Sequence, residues 1–215
     1  TSAWAARVPT TQRATLDSRP AFHRWPRSDH VTRRRVRSVN RISIVGNSGS
    51  GKSTMARALG ARLGVPVLEL DSVFHQAEWT PLLTVDFQVR VGEFMSTQPR
   101  FIVDGNYPAV LPDVWAAADT VIWLSPSRAE NMRAILGRTL RRALTREVLW
   151  NGNREPLSNL WRLDDPEASV IAWAWTHYGV YQERYAAAMH DPANAHLRFI
   201  RLESRRAASQ WLESL

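Results

Sequence analysis

"RISIVGNSGSGKST", residues Arg41–Thr54, joins a short apolar run to a glycine-rich loop that ends in lysine and serine. The β-branched run is typical of a strand buried on both faces of a sheet. The loop matches the phosphate-binding P-loop pattern, Gly-x-x-x-x-Gly-Lys-Ser, and a helical pattern follows it. Glycine permits the dihedrals by which several backbone N–H groups converge on a polyphosphate. The residues predicted to bind nucleotide phosphates are Gly46, Asn47, Ser48, Gly49, Ser50, Gly51, Lys52, Ser53 and Thr54.

Lys52 is the only lysine of the chain, which otherwise uses arginine for its cationic side chains. A compact ammonium group can fold back over the loop and touch two phosphates, whereas a planar guanidinium prefers a fork-to-fork approach. We therefore predict a catalytic role for Lys52. The hydroxyl of Ser53 is predicted to bind Mg²⁺, so that ATP and Mg²⁺ are the expected cofactors.

Short apolar runs alternate with helical patterns along the rest of the chain. The helical patterns cover about 52–64, 85–96, 127–145 and 167–189, and a short helix closes the chain. The other predicted strands are "VLEL", "FIVDG", "TVIWL" and "LRFIRL". This alternation predicts an α/β fold with a parallel sheet that helices cover on both faces.

Two aspartates follow predicted strands. Asp71 comes directly after "VLEL" and Asp104 directly after "FIV". Both would lie at the carboxyl edge of the sheet, where open α/β sheets bind ligands and P-loop proteins place a carboxylate near Mg²⁺. We assign Asp104 to the magnesium shell and Asp71 to the acceptor, as base or hydroxyl-orienting group. The two roles can be exchanged, and either residue can instead be a helix-cap or loop aspartate.

Three further side chains follow these acids closely: His75, Trp79 and Tyr107. They are candidates for lining an acceptor pocket, with the aromatic rings stacking on a base or sugar. A packing role explains a histidine and a tryptophan after a strand equally well.

A cluster of arginines lies in the second half of the chain. Four of them are spaced three or four residues apart and would form a positive stripe on one helix face. This stripe is either a solvated or duplex-binding face, or part of a lid that brings arginines onto the transferred phosphate. We favour Arg138 and Arg142 as catalytic, with Arg133 and Arg154 next, and "REVLWNGNREP" as the lid tip. The cluster comprises Arg133, Arg138, Arg141, Arg142, Arg146 and Arg154.

The chain has 215 residues, of which 44% are hydrophobic, and these values indicate a folded domain of ordinary size. It contains no cysteine, which excludes disulfides, thiolate zinc sites and a cysteine nucleophile. The net charge is +8, but residues 1–38 carry nine arginines against two aspartates. We therefore predict a disordered, Arg-rich extension over 1–38 and a nearly neutral domain over 39–215. We favour a dispensable extension, and the alternatives are a nucleic-acid arm and an organelle-type targeting segment.

The motifs "GNSGSGKST", "LELD", "FIVDGNY", "LTREVLWNGNRE" and "HLRFIRL" together resemble the adenylate-kinase-like P-loop proteins of bacteria, often described as DNA topology modulation or ATP-binding proteins. This resemblance covers about residues 40–213. It implies a P-loop three-layer α/β/α sandwich with a five-stranded parallel sheet in the order 2-3-1-4-5. It also implies a lid at about 146–165 and an acceptor-binding region at about 75–98.

The chain departs from adenylate kinases after the third strand, where the family has an aromatic residue, a proline and an arginine that grips AMP phosphate. Here Asp104-Gly105 is followed by Asn106, Tyr107 and Pro108, without an arginine. Arg90 and Arg100 are the only arginines of the predicted acceptor region, so a hydroxylated acceptor without phosphate becomes more plausible than AMP.

Three functions follow from these patterns. The first is a kinase that transfers the γ-phosphoryl group of ATP·Mg²⁺ to a small-molecule or nucleotide acceptor. The second is a nucleic-acid-associated ATP-binding protein that uses the arginine tail, and the third is an ATP-binding protein without transfer. No run of eighteen apolar residues is present, so we expect no membrane span and a cytoplasmic protein.

Overall fold

The computed structural model describes residues 40–155 and 169–215. Within these ranges five parallel strands form one sheet in the order β2-β3-β1-β4-β5, with helices on both faces, which confirms the predicted fold class. The strands are β1 (Arg41–Gly46), β2 (Val67–Glu69), β3 (Phe101–Asp104), β4 (Thr120–Leu124) and β5 (Arg198–Leu202). The helices are α1 (Lys52–Leu63), α2 (Leu70–Phe74), α3 (Thr84–Thr97), α4 (Leu111–Ala117), α5 (Arg128–Thr145), α6 (Val170–Ala188) and α7 (Arg205–Glu213).

The central strand β1 is buried on both faces of the sheet. On one face Ile44 packs with Leu59 of α1, and on the other Val45 packs with Trp123 of β4 and Tyr185 of α6. All five side chains are almost inaccessible to solvent. Burial on both faces explains why the strands read as continuous apolar runs rather than as alternating ones.

The strand register brings the carboxyl ends of the strands to one edge of the sheet. Ile44 of β1 lies opposite Asp104 at the end of β3, and Asp104 lies opposite Glu69 at the end of β2. The glycine-rich loop, Asp104 and the helix that follows β2 are therefore neighbours, as the parallel arrangement predicts.

Two helices were absent from the sequence prediction. α2 and α4 are five and seven residues long, which is too short for a helical period to be recognised. The predicted strand "VLEL" ends one residue early because Leu70 begins α2. Ser169 caps α6 by accepting a hydrogen bond from the amide of Ala172, so this helix begins at Val170.

The predicted extension 1–38 and the lid residues 156–165 lie outside the described residues. In the two ranges that are described, no helix has the length and apolar character needed to span a membrane.

Candidate active site

The glycines of the loop occupy backbone conformations that other residues rarely adopt. Gly46 has a φ of 147°, and a Cβ at this position would lie 2.4 Å from the carbonyl oxygen of Leu124. Gly51 has a φ of 100° and is the N-cap of α1, without a side-chain cap. The first amides of α1 have no intrahelical acceptor, so the loop and the helix N-terminus present N–H groups suited to an anion.

Side chains from α5 and the backbone of α6 brace the loop. The side-chain amide of Asn131 donates to the carbonyl of Ser48 at 2.7 Å, and that of Asn47 donates to the carbonyl of Ala174 at 2.7 Å. The Asn47 side chain also accepts from the amide of Ser48 at 2.8 Å. The loop is therefore held in shape before any ligand binds.

Asn106 ties the end of β3 to the start of the loop. Its side chain accepts from the amide of Gly46 at 3.1 Å and donates to the carbonyl of the same residue. The hydroxyl of Tyr185 on α6 donates to the Asn106 oxygen at 3.0 Å. These bonds explain why an asparagine follows Asp104-Gly105, a role that the sequence did not reveal.

Lys52 folds back over the loop, as its predicted role requires. Its Nζ donates to the carbonyl of Asn47 at 3.2 Å. Burial lowers the pKa of Lys52, whereas the carboxylates of Asp104 and Asp71 raise it and the charge of Arg138 lowers it. The lysine therefore lies among the groups predicted to act in catalysis.

Asp104 and Ser53 lie together at the end of β3. Burial raises the pKa of Asp104 to about 6, although the charge of Lys52 and a hydrogen bond from Ser53 both lower it. Asp104 Oδ1 is buried and has no hydrogen-bond partner among the described residues. A buried carboxylate oxygen without a donor, beside a serine hydroxyl, fits a hard cation such as Mg²⁺.

No cluster of three or more His, Cys, Asp or Glu side chains suited to a metal ion occurs in the described part of the chain. Mg²⁺ keeps several waters and takes phosphate oxygens as ligands in nucleotide sites, so one carboxylate and one hydroxyl are an adequate protein contribution.

Asp71, Tyr107 and His75 form a hydrogen-bonded group, and the charge of Asp71 acts on Lys52. The Tyr107 hydroxyl donates to Asp71 Oδ1 at 2.7 Å and lies 3.2 Å from Nε2 of His75. Burial and the charge of Asp71 raise the pKa of Tyr107, and burial lowers the pKa of His75. The tyrosine and histidine are therefore neutral at pH 7, and the tyrosine orients the Asp71 carboxylate.

Trp79 lies next to this group but does not line the cavity. Its indole N–H donates to the carbonyl of Arg154 at 2.9 Å, and its amide donates to the Asn153 side chain at 2.9 Å. The indole of Trp150 donates to Glu69 at 3.2 Å. The predicted lid tip is thus docked on the segment that follows β2.

Arg138 and Arg142 both lie on α5 but differ in their surroundings. Arg142 donates to Glu155 at 3.1 Å, and this ion pair is nearly buried. Arg138 has a buried Nε without a hydrogen-bond partner in the described ranges. Burial lowers the pKa of Arg138, which the charges of Glu155 and Asp71 raise. The charge of Arg138 therefore influences Lys52 and is influenced by Asp71, whereas Arg142 is engaged by Glu155.

The remaining arginines of the cluster do not join Arg138 and Arg142 in one positive stripe along a helix face. Arg141 is exposed and pairs with Glu147 at 2.9 Å, and Arg146 is the left-handed C-cap of α5. Arg133 and Arg154 are exposed. The prediction of one positive helix face is wrong, because Arg138 and Arg142 turn inward while Arg141 faces solvent.

A cavity of about 430 Å³ joins the loop to α6. Lys52, Asp71 and Asp104 line it on the sheet side, together with the loop residue Ser48. Among the described lining residues, His75 alone comes from the predicted acceptor region 75–98. The aromatic and polar face of α6 forms the opposite wall: Trp173, His177, Tyr181 and Arg184.

Sequence reasoning missed this α6 face. Its four residues follow one another at intervals of four, four and three, which places them on one side of a helix. The spacing was visible in the sequence, but nothing there indicated that this side faces the phosphate loop.

No family model and no curated protein matches the chain. Solved structures of similar fold include a gluconokinase from Sinorhizobium meliloti, at 17% identity and a TM-score of 0.44, covering 81% of this chain and 92% of that one. A shikimate kinase from Bacteroides thetaiotaomicron gives 12% identity and a TM-score of 0.48, with 82% and 96% covered. A deoxyadenosine kinase from M. mycoides is 15% identical with a TM-score of 0.44, and the match covers 80% of this chain and 95% of that one. The function is therefore argued from the residues of the site.

Proposed function

We propose that the chain is an ATP-dependent phosphotransferase that moves the γ-phosphoryl group of ATP to a hydroxyl of a small-molecule or nucleotide acceptor. One observation carries this proposal: a single cavity is lined by Lys52 and Asp104 beside the phosphate loop and also by Asp71, to which Tyr107 donates a hydrogen bond. A donor site and a group able to take a proton thus face the same space. Membership of the adenylate-kinase-like subgroup, and lid closure over 146–165, remain predictions.

The donor side rests on the loop from Gly46 to Thr54. Its amides and the N-terminus of α1 would hold the phosphates, with the Lys52 ammonium over them. Ser53 and Asp104 would hold Mg²⁺, which neutralises charge on the phosphates when bound. The unpartnered Oδ1 of Asp104 supports this assignment.

The acceptor side rests on Asp71. In the proposed step the acceptor oxygen forms a bond to the γ-phosphorus while the bond from that phosphorus to the bridging oxygen breaks, and ADP leaves. The hydroxyl proton passes to the Asp71 carboxylate, which the Tyr107 hydroxyl orients at 2.7 Å. Exchange of the two aspartate roles is disfavoured, because Asp104 is the residue bonded to Ser53 of the loop.

Arg138 is proposed to stabilise negative charge on the moving group. The charge of Arg138 contributes to lowering the pKa of Lys52, and the charge of Asp71 contributes to raising the pKa of Arg138. Arg142 is proposed to support α5 through Glu155, and it reaches phosphate only if that ion pair opens.

An acceptor screen tests the proposal. ADP formation from ATP·Mg²⁺ would be measured with hydroxylated acids, polyols, nucleosides and nucleotides, for the wild type and for Lys52→Ala. We expect at least one acceptor to raise turnover above slow hydrolysis in the wild type alone. Tight binding of ATP·Mg²⁺ without stimulation by any acceptor would contradict phosphoryl transfer.

A further inference from the structure

Arg184 is a cation of the cavity that the proposed reaction does not use. It lies on α6, is exposed and lines the same cavity as Lys52. Within the described part of the chain its guanidinium has no hydrogen bond or ion pair. An arginine at a cavity wall with free donors is suited to a carboxylate or phosphate, which it can bind in a bidentate manner.

Arg184 and Lys52 border the cavity from two different helices, α6 and α1. α6 is tied to the loop at Ala174, whose carbonyl accepts from Asn47 at 2.7 Å, and next to Arg184 the Tyr185 hydroxyl donates to Asn106 at 3.0 Å. Burial raises the pKa values of Tyr181 and Tyr185, and the charge of Arg184 opposes both shifts. The pKa of Lys52 is shifted by burial and by the charges of Asp104, Asp71 and Arg138 instead.

The α6 wall that carries Arg184 also offers polar groups for hydroxyls. The His177 ring stacks on Trp173 at 3.6 Å, and its Nδ1 lies 3.1 Å from the Trp173 carbonyl and 3.0 Å from the Thr176 hydroxyl. An Nδ1–H that donates to the carbonyl leaves Nε2 as an acceptor for a ligand hydroxyl. The ring face of Trp173 is covered by the histidine, so little aromatic surface on that side is left for a nucleobase.

We propose that the acceptor is a small hydroxylated compound with an anionic group, which binds Arg184 while one of its hydroxyls reaches Asp71. This inference rests on the proposed function and names its substrate class. A carboxylate acceptor agrees with the sequence expectation of an acceptor without phosphate, whereas a phosphate monoester would overturn that expectation. In both cases the cation comes from α6 and not from the segment that contains Arg90 and Arg100.

Matched probes on one skeleton test this proposal: glycerate, glycerol phosphate and glycerol, and likewise gluconate, glucitol phosphate and glucitol. Binding is measured by calorimetry to the full chain saturated with Mg²⁺ and a non-hydrolysable ATP analogue, and ADP formation is measured with ATP. The variants are Arg184→Gln and, as control, Arg206→Gln, an exposed helical arginine that does not line the cavity.

We expect an anionic probe to bind more tightly than its neutral partner, and Arg184→Gln to weaken that binding about tenfold or more, with ATP affinity unchanged. Arg206→Gln should behave as the wild type. A preference for the carboxylate over the phosphate ester identifies a hydroxy acid, and the reverse identifies a phosphate monoester. Equal binding of charged and neutral probes, no binding of any anionic probe, or equal behaviour of the two variants overturns the proposal.

The outcome is separable from that of the proposed function. Binding of an anionic probe that depends on Arg184, without ADP formation, supports the anion subsite and contradicts transfer. ADP formation with a neutral probe that is insensitive to Arg184→Gln supports transfer and overturns the subsite.

Discussion

The phosphate loop and the α6 face border one cavity, yet they are specified in different ways. The loop is a contiguous segment, Gly46–Thr54. Its glycines and lysine are suited to bind phosphate in any protein in which a strand precedes this motif and a helix follows it. The α6 face consists of residues that become a wall because α6 is tied to Asn47 at Ala174 and to Asn106 at Tyr185. The donor half of such a site is therefore readable as a motif, whereas the acceptor half depends on how distant helices pack.

The largest expected effect tests the loop. Lys52→Ala should lower phosphoryl transfer about 1,000-fold, because charge developing on the phosphates loses its nearest cation. ADP formation in the presence of a stimulating acceptor measures this effect. Lys52→Arg is the matched control, and we expect it to restore little activity because the planar group cannot cover the loop. Full activity of Lys52→Arg would show that charge alone suffices.

The second prediction tests the acceptor side of the cavity at Asp71. Asp71→Asn should lower kcat about 100-fold or more, because no carboxylate takes the acceptor proton. Binding of ATP·Mg²⁺ should change little, which calorimetry checks. Tyr107→Phe, which removes only the orienting hydrogen bond, should have a smaller effect. Equal loss of ATP binding and kcat in Asp71→Asn would place Asp71 on the donor side.

The third prediction concerns Asp104, where the two regions meet. Its pKa is raised by burial from 3.8 to about 6, so the folded chain without metal binds its proton more tightly than the unfolded chain. This contribution to stability is complete below about pH 4 and is lost as pH rises to 6, amounting to about 3 kcal/mol. Asp104→Asn should therefore be more stable than the wild type at pH 7 without Mg²⁺, but not at pH 4.

Denaturant unfolding at both pH values, with and without ATP·Mg²⁺, measures this difference. Added ATP·Mg²⁺ should stabilise the wild type more than Asp104→Asn, since ligand binding to the folded state raises its stability. The stability of Asp104→Asn relative to the wild type should be greater at pH 7 than at pH 4. An equal difference at both pH values would contradict a pKa of Asp104 raised by burial.

The smallest expected effect tests the docked turn. Trp150→Phe removes the indole hydrogen bond to Glu69 and should lower the free energy of unfolding by about 1 kcal/mol. Leu149→Ala alters the same turn and therefore cannot serve as a control. The control is Trp211→Phe, which removes an indole on α7, outside the docked turn. A Trp150→Phe variant that leaves stability unchanged but speeds turnover would indicate that this turn opens during the reaction.

The fold could be predicted largely because the central strands β1, β3 and β4 are buried apolar runs and the long helices have a recognisable period. α2 and α4 could not, since five and seven residues contain too few turns for a pattern. In the site, Lys52 was found from the P-loop motif, and Asp71 and Asp104 were found because they follow predicted strands. Asn106 and Asn131 were not, because their role is to bond loop atoms that lie far away in the chain.

The sequence by itself determined the phosphate loop, the parallel α/β fold and the position of two acids at the sheet edge. These follow from local steric rules and from the period of apolar residues, which act over a few neighbours. Only the tertiary structure decided that Arg142 pairs with Glu155, that the turn at Trp150 docks beside Glu69, and that Arg184 enters the cavity. Such contacts depend on which helix faces meet across the core, and spacing along one helix does not specify its partner.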